Sequence, residues 1–351
     1  MTDAATVQPL RDDAVVLVLS ASDSYVPYVS VLLQSLADTA AADTLYDVII
    51  MHTDISDENQ RILIEQIARD NISLRFIDVT EEGAACARLF TRGHFKVETY
   101  YRLLMPTILP DYDKVLYLDS DMVIQHDIAE LFRTDLGDDL LAAAKDVDTA
   151  GAYAGYRKNY KHYLEDVLAL SNPYDYFQAG TILFNLDAFR KTYTLEEMLE
   201  LAASYDWILL DQDVLNKLAE GRVRFLDQEW NVVTDWKGIR VSDIISRAPE
   251  DMRREYLEAR TDPGIIHYAG PEKPWNEETS DMADTFWKIA ARTPFHDELL
   301  RRKEDYVRTT SAPAYRLKQF VLYGCLDPVV AALFPRGTKR RDRLEKLRPK
   351  R

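Results

Sequence analysis

The chain has little cysteine and no long apolar run, and both absences narrow the class of protein to which it can belong. Only two of its 351 residues are cysteines, Cys86 and Cys325, which lie far apart. We therefore expect neither a disulfide framework nor a thiolate zinc site, and a reducing compartment is the default. The apolar run at 14–19 is too short for a signal-peptide core, and no stretch reaches the roughly 20 apolar residues that a membrane-spanning helix needs. The sequence thus predicts a cytoplasmic protein.

An excess of basic charge is also missing. Asp and Glu outnumber Lys and Arg by 59 to 43, which gives a formal net charge of -16. Such a surface repels phosphate groups, so nucleic acid is not expected as a partner. The last thirteen residues, 339–351, depart from this balance, because they carry eight basic and two acidic side chains. We treat this basic end as a separate feature of the chain.

The apolar pattern alternates between strands and helices, which predicts an α/β fold with a helix-flanked parallel sheet. Early strands are predicted at 14–19, 46–52, 72–79 and 114–118, with helices at 28–36 and 57–69, the latter capped by Ser56. Further strands and helices are predicted at 140–145, 180–185, 195–204 and 223–225. The first 290 residues contain neither an internal repeat nor a linker rich in Pro, Gly and Ser. We therefore expect one domain over 1–297 and a helical, basic C-terminal tail over 298–351.

One of four D-x-D tripeptides stands in a context that suggests chemistry. The four begin at Asp111, Asp119, Asp146 and Asp211, but only Asp119 directly follows an apolar strand, in KVLYLDSDMVI. Ligands of open α/β sheets gather at the carboxyl ends of the strands. Two carboxylates at such an end can turn toward one cation, and oxygen ligands suit Mg²⁺ or Mn²⁺. The alternative is a solvated turn whose acids cap a helix.

A second candidate is the loop that begins at His267, in HYAGPEKPW. Gly270 would let the backbone approach a bulky anion, and Lys273 offers a point charge for phosphate. Neutral imidazole is an acceptable ligand for Mn²⁺ and a poorer one for Mg²⁺. The alternatives are a hydrogen-bonded core histidine and a rigid turn with a surface lysine.

Five blocks in this order resemble the retaining glycosyltransferases of family 8, which include glycogenin and the bacterial lipopolysaccharide galactosyl- and glucosyltransferases. The blocks are ASDSYVPY from Ala21, TYYRLLMP from Thr99, KVLYLDSDMVI from Lys114, FQAGTILFNL from Phe177 with LLDQDVLN from Leu209, and HYAGPEKPW from His267. The match runs roughly from Val15 to Trp275. The resemblance implies the GT-A fold, a Rossmann-like mixed sheet flanked by helices that binds a nucleotide-diphospho-sugar.

The resemblance also implies roles for individual residues. Asp119, Asp121 and His267 match residues that hold Mn²⁺, or Mg²⁺, against the donor diphosphate. The other residues implied to bind the UDP-sugar donor are Ala21, Asp23, Tyr25, Arg102, Ser120, Gln178, Gly270 and Lys273. The residues implied at the reacting centre are Asp146, Asp211 and Gln212. The two acids match acceptors of hydrogen bonds from the sugar hydroxyls, and Gln212 matches the residue beside the anomeric carbon.

The sequence departs from the family pattern at a few positions. Ser22 and Ser24 stand where the bacterial galactosyltransferases usually have Asp and Asn, and Ala269 stands where some members have Cys. Gln178 replaces an Asn that is common before the Ala-Gly of its block. This change keeps the amide on a longer arm, and we expect it to bear on the selection of sugar or acceptor.

These implications predict transfer of a hexose, galactose or glucose, from a UDP-sugar to a hydroxyl of a glycan or glycolipid acceptor, with retention of the α configuration. Because the amide of Gln212 is a poor nucleophile, we expect front-face attack rather than a covalent intermediate. Two alternatives stay open. The first is a catalytically silent protein that binds sugar nucleotides, and the second is an inverting transferase or a nucleotidyltransferase on the same fold.

The predicted C-terminal tail allows two interpretations. The apolar and aromatic residues within 315–323, followed by the basic end, are typical of an amphipathic anchor at a membrane surface. Peripheral attachment to the inner face of the cell membrane would suit an acceptor carried on lipid. The alternative is a terminal helix packed on the domain, followed by a disordered basic end.

Overall fold

The computed structural model describes residues 8–91, 97–277 and 279–311. Its strands are β1 (Val15–Ser20), β2 (Tyr46–His52), β3 (Ile72–Asp78), β4 (Lys114–Leu118), β5 (Met122–Ile124), β6 (Leu141–Lys145), β7 (Phe177–Asn185), β8 (Val223–Leu226), β9 (Val232–Val233) and β10 (Ile265–His267). A seven-stranded mixed sheet has the order β3–β2–β1–β4–β7–β6–β8, and a small sheet has the order β5–β10–β9. The predicted α/β fold is confirmed.

Helices cover the sheet and connect its strands. The α-helices are α1 (Val26–Thr39), α2 (Asp57–Gln66), α3 (Thr80–Gly83), α4 (Met105–Ile108), α5 (Ile128–Phe132), α6 (Val147–Gly151), α7 (Tyr160–His162), α8 (Leu186–Thr192), α9 (Leu195–Ala203), α10 (Asp211–Leu218), α11 (Glu250–Ala259), α12 (Ala283–Ala290) and α13 (His296–Ser311). Short 3-10 or π-helical segments lie at Asp23–Tyr25, Cys86–Arg88, Val97–Leu104, Ala152–Tyr156, Tyr163–Val167, Pro173–Asp175, Gln228–Asn231, Arg240–Ile244 and Ile245–Arg247. Ser56 caps α2 as predicted, because its side chain accepts a hydrogen bond from the backbone N–H of Asn59.

The first half of the large sheet follows the sequence closely. Strands β2 and β4 have the predicted bounds, and β1 and β3 differ from theirs by one residue at one or both ends. These four strands are parallel to one another. Alternate residues of β1 enter two different cores, with Val16 and Val18 in one and Leu17 and Leu19 in the other. A strand buried on both faces explains why these segments are almost continuously apolar.

The second half of the sheet differs from the parallel arrangement that the strand–helix order predicts. Strand β7 runs antiparallel to both of its neighbours, β4 and β6. The segment 146–176 does not cross the sheet but stays at the carboxyl end of β6, where Lys145 pairs with Phe177. The chain therefore re-enters the sheet from that end, so β7 must run in the opposite direction. Strand β7 also begins at Phe177, three residues before its predicted start.

The small sheet brings the two candidate loops together. Strand β10 is antiparallel to β5, with His267 opposite Met122, and it is parallel to β9, with His267 opposite Val233. Met122 directly follows the D-x-D tripeptide at the end of β4. This pairing places the imidazole beside the two carboxylates although about 150 residues separate them in sequence.

Helix α13 belongs in part to the main body of the fold. It begins at His296, and the side chain of Leu299 is buried in a cluster with Tyr28 and Trp275. Arg302 Nη1 donates a hydrogen bond to the carbonyl oxygen of Ser24 at 2.6 Å. The rest of the predicted tail, 312–351, with its amphipathic and basic segments, lies outside the described residues. Among the described helices, none is long and apolar enough to cross a membrane.

Candidate active site

Two carboxylates and one imidazole converge at the carboxyl end of β4. Asp119, Asp121 and His267 each offer a ligand atom, and these atoms lie within 4.8 Å of one another. His267 Nε2 lies 3.3 Å from Asp121 Oδ1 and 3.8 Å from Asp119 Oδ2. Within 8–91, 97–277 and 279–311, this is the one group of acidic, histidine or cysteine side chains arranged closely enough to hold a metal ion. The structure thus brings all three predicted metal ligands together.

In each carboxylate of this group, one oxygen contacts a cationic side chain and the other faces His267. Asp119 Oδ1 lies 2.7 Å from Arg102 Nη2, and Asp121 Oδ2 lies 2.5 Å from Lys273 Nζ. Burial alone would raise the pKa of Asp121, but the charge of Lys273 holds it well below its ordinary value. The second oxygens of Asp119 and Asp121 both face His267 Nε2. Two hard oxygens and one imidazole nitrogen fit a divalent cation such as Mn²⁺.

The ring of His267 is fixed from its other side. Its Nδ1 lies 2.9 Å from Asn231 Oδ1. A Cβ atom on Gly180 would lie 2.4 Å from His267 Cε1, so only glycine leaves room for the imidazole at this point of β7. The sequence offered no pattern that would have identified Asn231, and Gly180 stood in the FQAGTILFNL block without a role of its own.

Arg102 joins the acids at the end of β4 to those at the start of α10. Its Nη2 contacts Asp119, and its Nε lies 2.9 Å from Asp211 Oδ2. The guanidinium stacks on the ring of Tyr117 at 4.2 Å, and its side chain is only 4% exposed. Arg102 is therefore a buried bridge between two acids and not part of an ion pair on a helix surface. The planar guanidinium of arginine can contact two carboxylates at once, and lysine is poorly suited to this role.

Asp119, Asp121 and His267 border one side of a space that we call the cleft, and Asp211 and Asp146 form its second wall. Burial raises the pKa of Asp211 to about 6, although Arg102 and the hydroxyl of Thr99 oppose the shift. Burial, reinforced by the charge of Asp148, raises the pKa of Asp146 to about 6. Asp146 also caps α6, because it accepts a hydrogen bond from the backbone N–H of Thr149 at 2.9 Å. Buried acids of this kind can accept hydrogen bonds from polyhydroxyl ligands.

Gln212 lies between Asp146 and strand β7, and both ends of its amide group are hydrogen-bonded. Its Nε2 donates to Asp146 Oδ2 at 3.0 Å, and its Oε1 accepts from the backbone N–H of Ala179 at 2.9 Å. The preceding turn is strained, because Leu210 is fully buried and has φ 55° and ψ -122°. Strained backbone of this type is common where a side chain must be aimed at a ligand.

The first loop lies on the third side of the cleft. Asp23 Oδ1 accepts hydrogen bonds from the backbone N–H of Ser56 at 3.0 Å and from Asn59 Nδ2 at 2.7 Å, and these bonds lower the pKa of Asp23. Burial and the charge of Asp121 raise the pKa of Tyr25 well above its ordinary value. Ala21 is buried, and its N–H donates to the carbonyl oxygen of Met51 at 3.1 Å. Tyr25 thus lies near the metal-ligand group, whereas Asp23 ties the loop to α2.

Three further predicted residues border the ligand group. Ser120 donates a hydrogen bond to the carbonyl oxygen of Ser20 at 2.8 Å, which fixes the turn between the two aspartates. Gln178 Oε1 accepts from the backbone N–H of Gly180 at 2.5 Å, so its amide oxygen turns back toward β7. Gly270 has φ 105°, a conformation that a side chain would strain.

Arg240 is a buried cation that the sequence did not suggest. Its Nε lies 3.1 Å from Asp148 Oδ2, and its Nη1 donates to the carbonyl oxygen of Ala269 at 3.1 Å. It therefore links the loop after β10 to the helix that Asp146 caps. No local pattern distinguishes this arginine from its surface counterparts. Thr99, which binds Asp211, was missed as an individual residue although it opens one of the five blocks.

Comparison with known proteins identifies the family. The model of glycosyl transferase family 8 matches residues 16–279. General stress protein A of Bacillus subtilis is 24% identical over 277 residues, which cover 77% of this chain and 90% of that protein. Lipopolysaccharide 1,2-glucosyltransferase of Escherichia coli is 26% identical over 248 residues, which cover 70% of this chain and 65% of that protein.

Solved structures show the same fold. The galactosyltransferase LgtC, in complex with donor and acceptor sugar analogs, has a TM-score of 0.67 and 26% identity, covering 82% of this chain and 99% of that chain. The bifunctional glycosyltransferase WbbM has a TM-score of 0.76 and 34% identity, covering 86% of this chain. The match covers 54% of WbbM, so this chain spans about half of that protein. Since the family model matches most of its length, the chain belongs to glycosyl transferase family 8 and has the GT-A fold.

Proposed function

We propose that the protein is a retaining hexosyltransferase. It moves galactose or glucose from a UDP-sugar to an acceptor hydroxyl of a surface polysaccharide or lipopolysaccharide, with Mn²⁺ held by Asp119, Asp121 and His267. The observation that carries the proposal is the convergence of these three side chains within 4.8 Å, with Lys273 beside them. The names of the relatives support the substrate class, because they include a lipopolysaccharide 1,2-glucosyltransferase and a lipopolysaccharide 1,3-galactosyltransferase.

The chain's own residues supply most of the electrostatic arrangement that the reaction needs. When bound, the divalent cation would act as a Lewis acid toward the donor diphosphate. Lys273 is placed to neutralise charge that develops on the departing UDP, and the fork of Arg102 holds Asp119 and Asp211 in fixed positions. Fixed charges aimed at developing charge usually provide the largest part of a catalytic effect.

The position of Gln212 favours front-face attack over a covalent intermediate. Both ends of its amide are already hydrogen-bonded, to Asp146 and to Ala179. An amide held in this way is suited to orienting a neighbour and poorly suited to attacking an anomeric carbon. In the proposed reaction the acceptor hydroxyl enters on the side of the leaving group, and the departing phosphate takes its proton. A solved LgtC structure is described as an active-site glutamine-to-glutamate mutant, which supports a role for a glutamine in that enzyme's site.

The test measures UDP release and product stereochemistry. Full-length protein is incubated with UDP-galactose or UDP-glucose, with a polysaccharide or lipopolysaccharide acceptor, and with Mn²⁺ or a chelator. We expect release with one of the two donors, loss of release with the chelator, and an α-linked product by NMR. Asp111→Asn, at an exposed D-x-D remote from the cleft, serves as the matched control and should retain activity.

Three outcomes would contradict the proposal. Donor binding without any transfer would indicate a silent binding protein, a β-linked product would indicate an inverting enzyme, and full activity in chelator would remove the metal. Gln212→Ala and Asp211→Ala separate the roles of the two neighbours. Turnover that survives the first change and not the second would leave Gln212 without a direct part.

Attachment of a cytoplasmic enzyme to the membrane surface through the basic end is a further part of the proposal. It is supported by the eight basic side chains of 339–351. Truncation after Ser311 leaves α13 complete and removes this segment. We expect the full-length protein, and not the truncated one, to sediment with anionic liposomes, and equal sedimentation would contradict the anchor.

A further inference from the structure

A chain of side-chain hydrogen bonds leads from strand β7 to the imidazole of His267. The backbone N–H of Gly180 donates to Gln178 Oε1 at 2.5 Å, and Asn231 Nδ2 donates to the same oxygen at 2.5 Å. At the other end of Asn231, Oδ1 lies 2.9 Å from His267 Nδ1. Asn231 bonds to Nδ1 of the ring, whereas Nε2 is the nitrogen that faces the two aspartates.

The first donor, the backbone N–H of Gly180, fixes the direction of every hydrogen bond in this series. A backbone N–H can only donate, so the atom of Gln178 that faces Gly180 must be the amide oxygen. That oxygen also faces Asn231, which must therefore present its NH₂ group there and turn its own oxygen toward His267. A carbonyl oxygen only accepts, so Nδ1 of the imidazole carries the proton. In a neutral ring this leaves Nε2 with its lone pair directed at Asp119 and Asp121.

The chain of bonds is held rigidly at both ends. Gly180 lies within β7, between β4 and β6 in the large sheet. Asn231 is 3% exposed and directly precedes β9, which pairs with the strand that carries His267. The absence of a side chain at Gly180 lets the ring lie against β7. The imidazole is therefore fixed in plane and in tautomer before any ligand arrives.

We propose that Gln178 and Asn231 are positioning residues that hold His267 as the Nδ1–H tautomer and thereby set the affinity of the site for a divalent cation. This inference rests on the proposed function, because it assumes that Asp119, Asp121 and His267 bind the metal. It assigns Gln178 to the metal side of the cleft, whereas the sequence alone suggested a part in sugar or acceptor selection.

The test compares Mn²⁺ binding among variants of the full-length protein by electron paramagnetic resonance, without any turnover. Asn231→Leu removes both bonds, and we expect Mn²⁺ affinity to fall by about 10- to 100-fold, the usual effect of losing an outer-shell partner. Asn231→Asp keeps an acceptor for Nδ1–H, so its affinity should remain within about threefold of wild type. Asn216→Leu is the matched control, because Asn216 is equally buried and bonds to Phe177 of the same strand without touching His267.

A second readout follows the tautomer without metal. Long-range ¹H–¹⁵N NMR of the metal-free protein distinguishes the two neutral tautomers, and assignment of His267 among the six histidines is made by its absence in His267→Gln. We expect the Nδ1–H form in wild type and in Asn216→Leu, and a mixture in Asn231→Leu. Mn²⁺ binding that Asn231→Leu leaves unchanged, or an Nε2–H form in wild type, would overturn this inference alone. A wild-type protein that binds no Mn²⁺ would overturn the proposed metal and this inference together.

Discussion

Two D-x-D segments with the same pattern have opposite environments in this protein. Asp119 and Asp121 follow β4, and each has one oxygen on a cationic side chain. Asp213, in the first turn of α10, is fully buried and accepts hydrogen bonds from the hydroxyls of Tyr163 and Tyr176 at 2.6 and 2.7 Å. The remaining oxygens of Asp119 and Asp121 face a shared space, whereas both oxygens of Asp213 accept hydrogen bonds from the surrounding fold. The D-x-D tripeptide alone therefore does not identify a ligand site. The environment of its two acids distinguishes a ligand site from a structural acid.

The pKa shifts distinguish the two walls of the cleft. The charge of Lys273 holds the pKa of Asp121 below its ordinary value against the effect of burial. Burial instead raises the pKa of Asp211 and of Asp146 to about 6. Asp121, beside a fixed cation, thus keeps its charge more readily than the two acids of the other wall. The guanidinium of Arg102 contacts Asp119 and Asp211 and joins the two walls.

The largest effect is expected from removing one charge at the end of β4. Asp121→Asn keeps the size of the side chain but loses a ligand oxygen and the charge that faces Lys273. We expect Mn²⁺-dependent UDP release to fall roughly 1000-fold, about 4 kcal/mol of transition-state stabilisation. The free energy of unfolding without metal should also fall, because an acid whose pKa is lowered in the folded protein stabilises the fold in its ionised form. Steady-state kinetics and urea unfolding measure the two quantities, and activity within tenfold of wild type would contradict the assignment.

The same substitution in the other segment should leave the metal site intact and lower stability alone. Asp213→Asn replaces a carboxyl group, which has two accepting oxygens, by an amide with one, so the hydroxyls of Tyr163 and Tyr176 and the backbone N–H of Leu209, which lies at 2.7 Å, can no longer all donate to it. We expect a loss of about 3 kcal/mol in the free energy of unfolding, measured by urea, because a buried donor without an acceptor costs about 1–3 kcal/mol. Mn²⁺ affinity of the folded protein should stay near that of wild type. A variant as stable as wild type would show that these bonds are not part of the scaffold.

The sequence predicted those features that depend on local pattern. The segment 114–118 is apolar and is bounded by charge, so the strand, its end and the two acids after it could be read directly. The order of the blocks then indicated His267 as a partner of Asp119 and Asp121, and the pairing of β10 with β5 places it there. Local pattern and block order were sufficient because each of these residues follows a recognisable strand.

What the sequence could not predict depends on contacts between distant segments. The direction of β7 is set by the path of 146–176, and a strand buried on both faces has no pattern that reveals direction. Asn231 and Arg240 act through bonds to residues 36 and 92 positions away, and neither stands in a recognisable motif. The tight spacing between Gly180 and His267 is likewise visible only once the two sheets are in place.

The smallest effect concerns pH and the third D-x-D segment, where Asp146 faces the charge of Asp148 instead of a cation. Because the pKa of Asp146 in the folded protein is about 6 against an ordinary 3.8, the folded state holds more protons than the unfolded state between these values. This residue therefore contributes stability that is present below about pH 4 and is lost as the pH rises through about 6.

Asp146→Asn removes this titration while retaining a side chain that can cap α6. The difference in free energy of unfolding between wild type and the variant should shift by about 1–3 kcal/mol against wild type between pH 4.5 and pH 7.5, as urea unfolding at the two values would measure. Asp127→Asn, which alters a capping aspartate at the start of α5, controls for the loss of a capping charge. A difference independent of pH would mean that Asp146 is ionised throughout this range. In that case the contrast between the two walls of the cleft would rest on Asp211 alone.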